Sequence, residues 1–503
     1  MQHVLRVALV ACLSLWGSPA SDAQWSPTET ITSFVPPQLT DPVVAVYGDA
    51  VVVASASEEF DGVNPLPTSG NILVFERVVG SWRPPVEALD AATVVGRPSL
   101  AFDDGGGLHL VWQDLARDFV PVAFRYKRSP LTGDNTIETV SVRPLGGPTA
   151  EEIVGTPYFL FANAQHTPVL LFEVSTQRAS ELARTTRGPT GWTEAAPTVE
   201  AFNSDIIQTS GDTLLSATRL WTGDAFAVTF SRSTDGGTSW SPPAVVTETP
   251  DGAQDLSPRI AATSDRRLHV VWRRSTGGGF SATAFMYAAS ADGGATWSQA
   301  RAVPVPPGGV AGGVVIVGGD DRAHVFVEWR KTYTSPTGRL YHTSTRGGAW
   351  SAPDWFTGDA KVRYSHFNPA IAVDGGRIHV VWSEDVVPDR ESRLVYASAR
   401  LADLPAPAVP PVTGRGLSTY PNPTRDTVSL SFTLDELGED TPGEVVVRVY
   451  DARGRLALEH TVGRQSDGPQ SVSLGTASLA SGTYTVQVRA GRTTRSGTFT
   501  VVR

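Results

Sequence analysis

Two stretches, SRSTDGGTSWSPP at Ser231–Pro243 and AASADGGATWSQA at Ala288–Ala300, place the same residue types at the same spacing. They are Ser233, Asp235, Gly237 and Trp240, then Ser290, Asp292, Gly294 and Trp297. A carboxylate in a glycine-rich loop can bind calcium, but that ion takes about six to eight oxygens, and each loop offers one acid. The same carboxylate can accept backbone N–H groups two residues on and hold a turn closed. Glycine supplies backbone angles that other residues resist, and the tryptophan folds under to bury a large apolar face. A shorter copy, TSTRGGAWSAP at Thr343–Pro353, has Arg346 in place of the acid and keeps Trp350. The turn persists without its carboxylate, so its role is structural. His109, His269, His324 and His379 recur shortly before the end of a strand-like run and look like a metal ring. They sit in successive copies of a repeat, so the repeat explains their recurrence, and the expected role is donation to a neighbouring backbone group. No pattern calls for a metal ion or a cofactor.

The elements that position these residues repeat at about 50 residues, a period of propellers and solenoids. Each copy reads as a first strand of the form x-Pro-x-aliphatic-Ala, a Gly/Asp turn, a second strand ending near Trp, a third with Tyr, and a fourth opening with Trp. The first strands are expected to start at Asp41, Arg97, Thr156, Ser204, Ser257, Gly312 and Asn368. Fourth strands open at Trp82, Trp192, Trp240, Trp297 and Trp350, and Asn135–Val142 fills that slot in the second copy. The seventh copy stops after its third strand, and Trp25–Thr32 supplies the missing fourth. Closing the ring in this way leaves no sheet edge open at the seam. The chain is all-β by this reading, with 48 Gly, 37 Pro and 13 Trp and no long run at helical spacing.

The eight residues of the two turns resemble the Asp-box, or bacterial neuraminidase repeat, of the sialidase-like β-propeller superfamily. The resemblance covers Trp25 to Leu404 and implies a propeller, seven-bladed by the copies counted, with six blades as the alternative because sialidases have six. It also implies a test for activity. Sialidases hold the substrate carboxylate with three arginines, whose paired donors suit it, attack with a tyrosine backed by a glutamate, and use an aspartate as acid/base. The positions that correspond are Arg97, Arg259 and Arg363, with Tyr364 as the nucleophile and Glu328 or Glu384 behind it. Arg97 falls one repeat late and its motif, Gly96-Arg97-Pro98, is one residue short. The balance leans against an enzyme, and no catalytic residue is assigned.

Residues 1–23 read as an export leader, with Arg6, an apolar run from Val7 to Trp16 and small residues before Gln24. The only cysteine, Cys12, lies within it, so the mature chain has no thiol. Residues 24–403 are the expected propeller, and Leu404–Gly416 is a Pro-rich, semi-rigid linker. Residues 417–503 alternate with period two and are expected to form a small Ig-like sandwich. They resemble the type A C-terminal sorting domain of type IX secretion at Tyr420, Pro421, Asn422 and Pro423, at Gly454, and at Gly482 and Tyr484. That resemblance implies contact with the type IX machinery and a protein released from, or attached to, the outer surface of a Gram-negative bacterium. The net charge of −10 excludes nucleic acid and anionic membrane as bulk electrostatic partners. No transmembrane segment is expected in the mature chain. The leading expectation is a binding module for a glycan or surface protein. An exo-glycosidase of sialidase type and a structural surface component are the alternatives.

Overall fold

Proline has no N–H to give a β-ladder, and this shapes the start of several repeats. The computed structural model describes residues 25–502 apart from 60–68, 89–93, 116–120, 132–136, 141–152, 277–283, 333–337, 358–368, 406–416, 435–443 and shorter breaks. The first strands run Gln38–Tyr47, Ile153–Ala162, Asp205–Ser210, Ala253–Ala262, Val310–Gly318 and Ala370–Asp374. In the second repeat the strand is broken into Val94–Val95 and Ser99–Phe102, on either side of Gly96-Arg97-Pro98. Pairing slips between Thr40 and Val43, Gly155 and Tyr158, Leu256 and Arg259, and Ala311 and Gly313. The expected starts at Asp41, Thr156, Ser257 and Gly312 are therefore bulges inside longer strands. Three of the bulges hold the x-Pro pair, which drops out of the ladder while pairing continues on both sides. Asn368 lies outside the described residues.

The chain divides into two units, 1–406 and 407–503. In the first, the described strands pair into seven antiparallel sheets of four or five strands, each running first, second, third, fourth in order. Each first strand touches the first strand of the next sheet, and Ala370–Asp374 touches Gln38–Tyr47 again. The apolar core is correspondingly divided. One cluster joins Trp112 and Leu110 of the second sheet to Val52 and Ile72 of the first, and another joins Trp272 of the fifth to Phe230 of the fourth. A further cluster joins Val381, Leu394 and Tyr396 of the seventh sheet to Val51, Val53 and Phe75 of the first.

The seam is closed by a strand that starts four residues after the expected Trp25. Glu29–Phe34 lies antiparallel to Glu391–Arg400 as the outer strand of the seventh sheet. One small device recurs beside it. The hydroxyl after a repeat Trp accepts an N–H of the third strand, Thr193 from Thr186, Ser241 from Arg232, Ser298 from Ala289 and Ser351 from Ser344; Trp240 and Trp297, expected to open fourth strands, lie before them, at Ala244–Val245 and Arg301–Ala302. Ser26 accepts the N–H of Ser398 in the same way at 3.0 Å. Trp25 donates its indole N–H to Asp354 at 2.7 Å and meets Phe326 and His342 edge-on.

In the second unit, Leu417–Tyr420, Thr427–Leu434 and Gly468–Gly475 form one sheet. Leu456–Arg464, Glu444–Tyr450, Gly482–Ala490 and Thr493–Val501 form another. They share a core that includes Val428, Leu430, Val447, Val486 and Phe499.

Trp25 is half-buried, so Trp25→Ala should cost about 2–4 kcal/mol, at or below the usual range for a core aromatic. Deleting 25–34 should cost more and expose the edge of Glu391–Arg400, with aggregation as the result. Urea denaturation and light scattering read both; an unchanged urea midpoint in the deletion removes the seam from the stability of the unit.

Candidate functional site

The two acidic turns fold by hydrogen bonds that differ from expectation. Ser233 donates its hydroxyl to Asp235 at 2.8 Å and receives the N–H of Gly237 at 2.9 Å. The Asp235 carboxylate reaches four residues on, to the N–H and hydroxyl of Ser239, rather than two. Ser290, Asp292, Gly294 and Thr296 repeat this arrangement. Hydrogen bonds from the hydroxyl and N–H of Thr296 and from Ser290 hold Asp292 down at about 2. Gly237 and Gly294 have φ of +83° and +96°, and a Cβ on Gly294 would sit 2.2 Å from the Phe230 ring. The turn thus needs glycine for conformation and for space. Each carboxylate is saturated by its own loop.

The four histidines also have other partners than expected. Nδ1 of His109, His269 and His379 lies 2.8 Å from the hydroxyl of Tyr126, Tyr287 and Tyr396 on the adjacent third strand, not against a backbone group. In the sixth sheet His342 takes the tyrosine position, 3.0 Å from His324. Phenol and imidazole satisfy each other inside the sheet, where an unpaired polar group is costly. Among the described residues no three His, Cys, Asp or Glu side chains gather around a cation position.

Charge collects where the second strands end and the first strands begin. Asp114 accepts from Arg125 at 2.6 Å, and Asp255 is held by Arg274 through two contacts at 2.7 and 2.6 Å. Glu328 pairs with Arg330, and Arg259 lies 3.7 Å from Asp205 across two sheets. Burial raises Glu328 to about 7 against the pull of Arg330. Gly312 and Gly338 leave the room for this carboxylate, since a Cβ on Gly312 would lie 2.2 Å from its Oε2. Burial lowers Arg219 to about 10, with Glu173 opposing the shift and Arg273 adding to it. The Arg219 guanidinium covers Phe226 at 4.3 Å, and Trp221, 55 % exposed, meets Phe226 edge-on at 5.1 Å.

Of the residues singled out in sequence, Arg259 belongs to this charged end and Arg97 lies half-buried in the break of the second sheet. Glu384 accepts the indole N–H of Trp382 at 2.8 Å. Arg363 and Tyr364 lie outside the described residues, as do Pro421, Pro423 and the leader. Sequence reading missed Asp255–Arg274 and the Arg219 group, whose members come together only through sheet pairing.

In the C-terminal unit the Asn422 amide accepts the N–H of Thr500 at 2.8 Å and donates to the carbonyl of Thr498 at 3.0 Å. It thus binds the exposed edge of the last strand. Gly454, φ +76°, closes the turn begun by Asp451, which accepts the N–H groups of Arg453 and Arg455. Tyr484 stacks on Phe499 and donates to the carbonyl of Ala480.

Residues 418–502 match the family of the secretion system C-terminal sorting domain. This is the sorting domain of type IX secretion, and it marks a protein that is secreted or attached to the outer surface. No curated protein matches the chain. Among solved structures, polysaccharide lyase Uly1 is similar at 10% identity and TM-score 0.47, covering 72% of this chain and 90% of its own. The endosialidase of phage phi92 is similar at 13% identity and TM-score 0.44, covering 87% and 74%. PorZ, a surface component of the type IX system of Porphyromonas gingivalis, is similar at 14% and 0.36, covering 90% and 58%. No helix among the described residues is long and apolar enough to cross a membrane.

The buried histidines set a pH dependence. Burial holds His269 at about 3, with Arg267 adding to the effect, and His379 at about 4, with Arg377 adding. His109, His324 and His342 are also lowered, mainly by burial. An unfolded histidine takes its proton near 6.5. Stability is therefore full above that pH and falls as the pH drops toward 4. Each of His269 and His379 should cost about 2–3 kcal/mol between pH 7 and 4.5. Glu328 and Asp205, both raised by burial, act in the opposite sense but are outnumbered. The urea midpoint should fall from pH 7 to pH 4.5; a midpoint that stays level or rises contradicts the neutral-histidine assignment.

Proposed function

We propose that residues 24–403 form a seven-bladed propeller of the sialidase-like type. It acts as a binding module for a glycan or a surface protein, and an Ig-like sorting domain carries it to the cell exterior. The seven sheets in cyclic contact and the strand-exchanged seam support the blade count. The turns at Ser233–Trp240 and Ser290–Trp297, saturated by their own carboxylates, support the Asp-box reading.

One observation favours binding over hydrolysis. Four guanidinium groups at the charged end face the protein's own acids, Arg125 facing Asp114, Arg259 facing Asp205, Arg274 facing Asp255 and Arg330 facing Glu328. A clamp for a substrate carboxylate needs donors held open for it, and breaking a buried pair to supply them costs several kcal/mol. Trp221 offers an exposed ring to a partner on a base fixed by Phe226 and Arg219. The glycosidase alternative keeps one specific support, the Glu328 carboxyl near 7, where a group can both give and take a proton.

The purified protein should leave a fluorogenic sialoside intact and give specific signal on a glycan or surface-protein array, lost in Trp221→Ala. Turnover that disappears in both Tyr364→Phe and Glu328→Gln would establish the glycosidase instead. For export, a chain ending at Leu404 should accumulate folded in the periplasm, because the two units have separate cores. Surface display of that truncated chain in normal amounts would refute the dependence on the sorting domain.

A further inference from the structure

At the strand ends opposite the charged end, a cleft of about 920 Å³ opens where the first strands of the fourth, fifth and sixth sheets turn back. Exposed hydroxyls of Thr209, Ser210 and Ser264 line it, together with Arg232 of the fourth sheet and Arg266 of the fifth. A volume of this order takes a ligand of two or three sugar rings.

Two arginines against one ionised acid leave the cleft net positive. Arg232 and Arg266 are both exposed, and among the described residues neither guanidinium has a hydrogen-bond or ion-pair partner. This contrasts with the opposite end, where arginines are paired with internal acids. Asp292 is the single acid of the lining, and its carboxylate is taken by Ser290 and by the N–H and hydroxyl of Thr296.

The turn that carries Arg266 is left-handed. Arg266 stands at φ +64°, with its N–H on the carbonyl of Thr263 and the N–H of Thr263 on the carbonyl of Arg267. The second sheet makes the same turn between Asp103 and Gly107 with Gly106 at the strained position. Left-handed backbone disfavours any residue with a Cβ. The third sheet makes the same turn with His166 at φ +58°, so the fifth sheet is one of two that hold a side chain at this position, and here that side chain is an arginine on the cleft.

We propose that this cleft binds an anionic oligosaccharide, whose carboxylate or sulfate groups pair with Arg232 and Arg266 while its hydroxyls meet Thr209, Ser210 and Ser264. Guanidinium matches both kinds of oxyanion with parallel donors. Two cations on separate sheets suit charges spaced along a sugar chain. The site is distinct from the charged end and does not rest on what binds there.

Calorimetric titration of the full chain tests the assignment, with tetragalacturonate, a chondroitin sulfate tetrasaccharide, neutral cellotetraose and a hexaglutamate peptide as probes. At least one of the two acidic sugars should bind, and which one separates carboxylate from sulfate. Affinity should fall about tenfold or more in Arg232→Ala and in Arg266→Gly and weaken steeply with salt. Arg266→Gly relieves the strained backbone, so its loss of binding cannot be a loss of folding. Three results would overturn the proposal: no binding of either acidic sugar, equal binding of cellotetraose or hexaglutamate, or affinity unchanged in both arginine variants.

Discussion

A sheet of four short strands has two faces to bury and is marginal alone. In the N-terminal unit both faces are buried against the next sheet and the previous one, and this packing is the constraint from which the rest follows. Tryptophan and tyrosine dominate it: Trp112, Trp272, Tyr287 and Tyr341 are almost wholly enclosed. Because each cluster needs two sheets, the last sheet must find the first, and Val381, Leu394 and Tyr396 do so against Val51, Val53 and Phe75. An incomplete seventh sheet would leave both of its neighbours short of a face.

Many polar groups enter this layered core in pairs, while the indole N–H groups of Trp112 and Trp272 and Nδ1 of His342 are buried without a hydrogen-bond partner among the described residues. The histidine–tyrosine contacts lie between second and third strands, and the acid–arginine pairs lie where strands emerge from the packed layers. Burial of an ion pair does little for net stability. It does fix which rotamers these paired side chains present at the ends of the strands. The turns at the other ends are also self-satisfied, apart from arginines whose position leaves them facing open space.

Much of the architecture could be read from residue order. The Trp-Ser pairs located the fourth strands but not their starts: Trp240, Trp297 and Trp25 each lie four residues before the strand that pairs, Ala244–Val245, Arg301–Ala302 and Glu29–Phe34. The x-Pro pairs misled by a few residues, because a bulge lets a ladder continue past a proline that local reasoning treats as a start. The histidine partners were hidden for a different reason: Tyr126 and Tyr287 lie 17 and 18 residues along and meet the ring only after the strands register. Pairs such as Asp205 and Arg259 need two sheets to meet before they exist. The C-terminal motif was legible as a pattern. That Asn422 grips the final strand follows only from its amide meeting both the N–H of Thr500 and the carbonyl of Thr498.

The seam joins residues more than 360 positions apart, since Glu29 lies beside Tyr396. Contacts of such separation form late, after the entropy of closing the intervening chain has been met. A polypeptide emerging N-terminus first must therefore carry Trp25 to Phe34 unpaired until nearly all of the unit has followed. Sheets one to six can assemble along the way, but the ring stays an open arc with an exposed edge at each extremity. Arg322, which donates to the carbonyls of Leu401, Leu404 and Pro405, fastens the chain just beyond the closing strand. Closure and the anchoring of the exit segment thus fall at the same moment of synthesis, and the arc becomes a ring only when the sorting domain is next to be made.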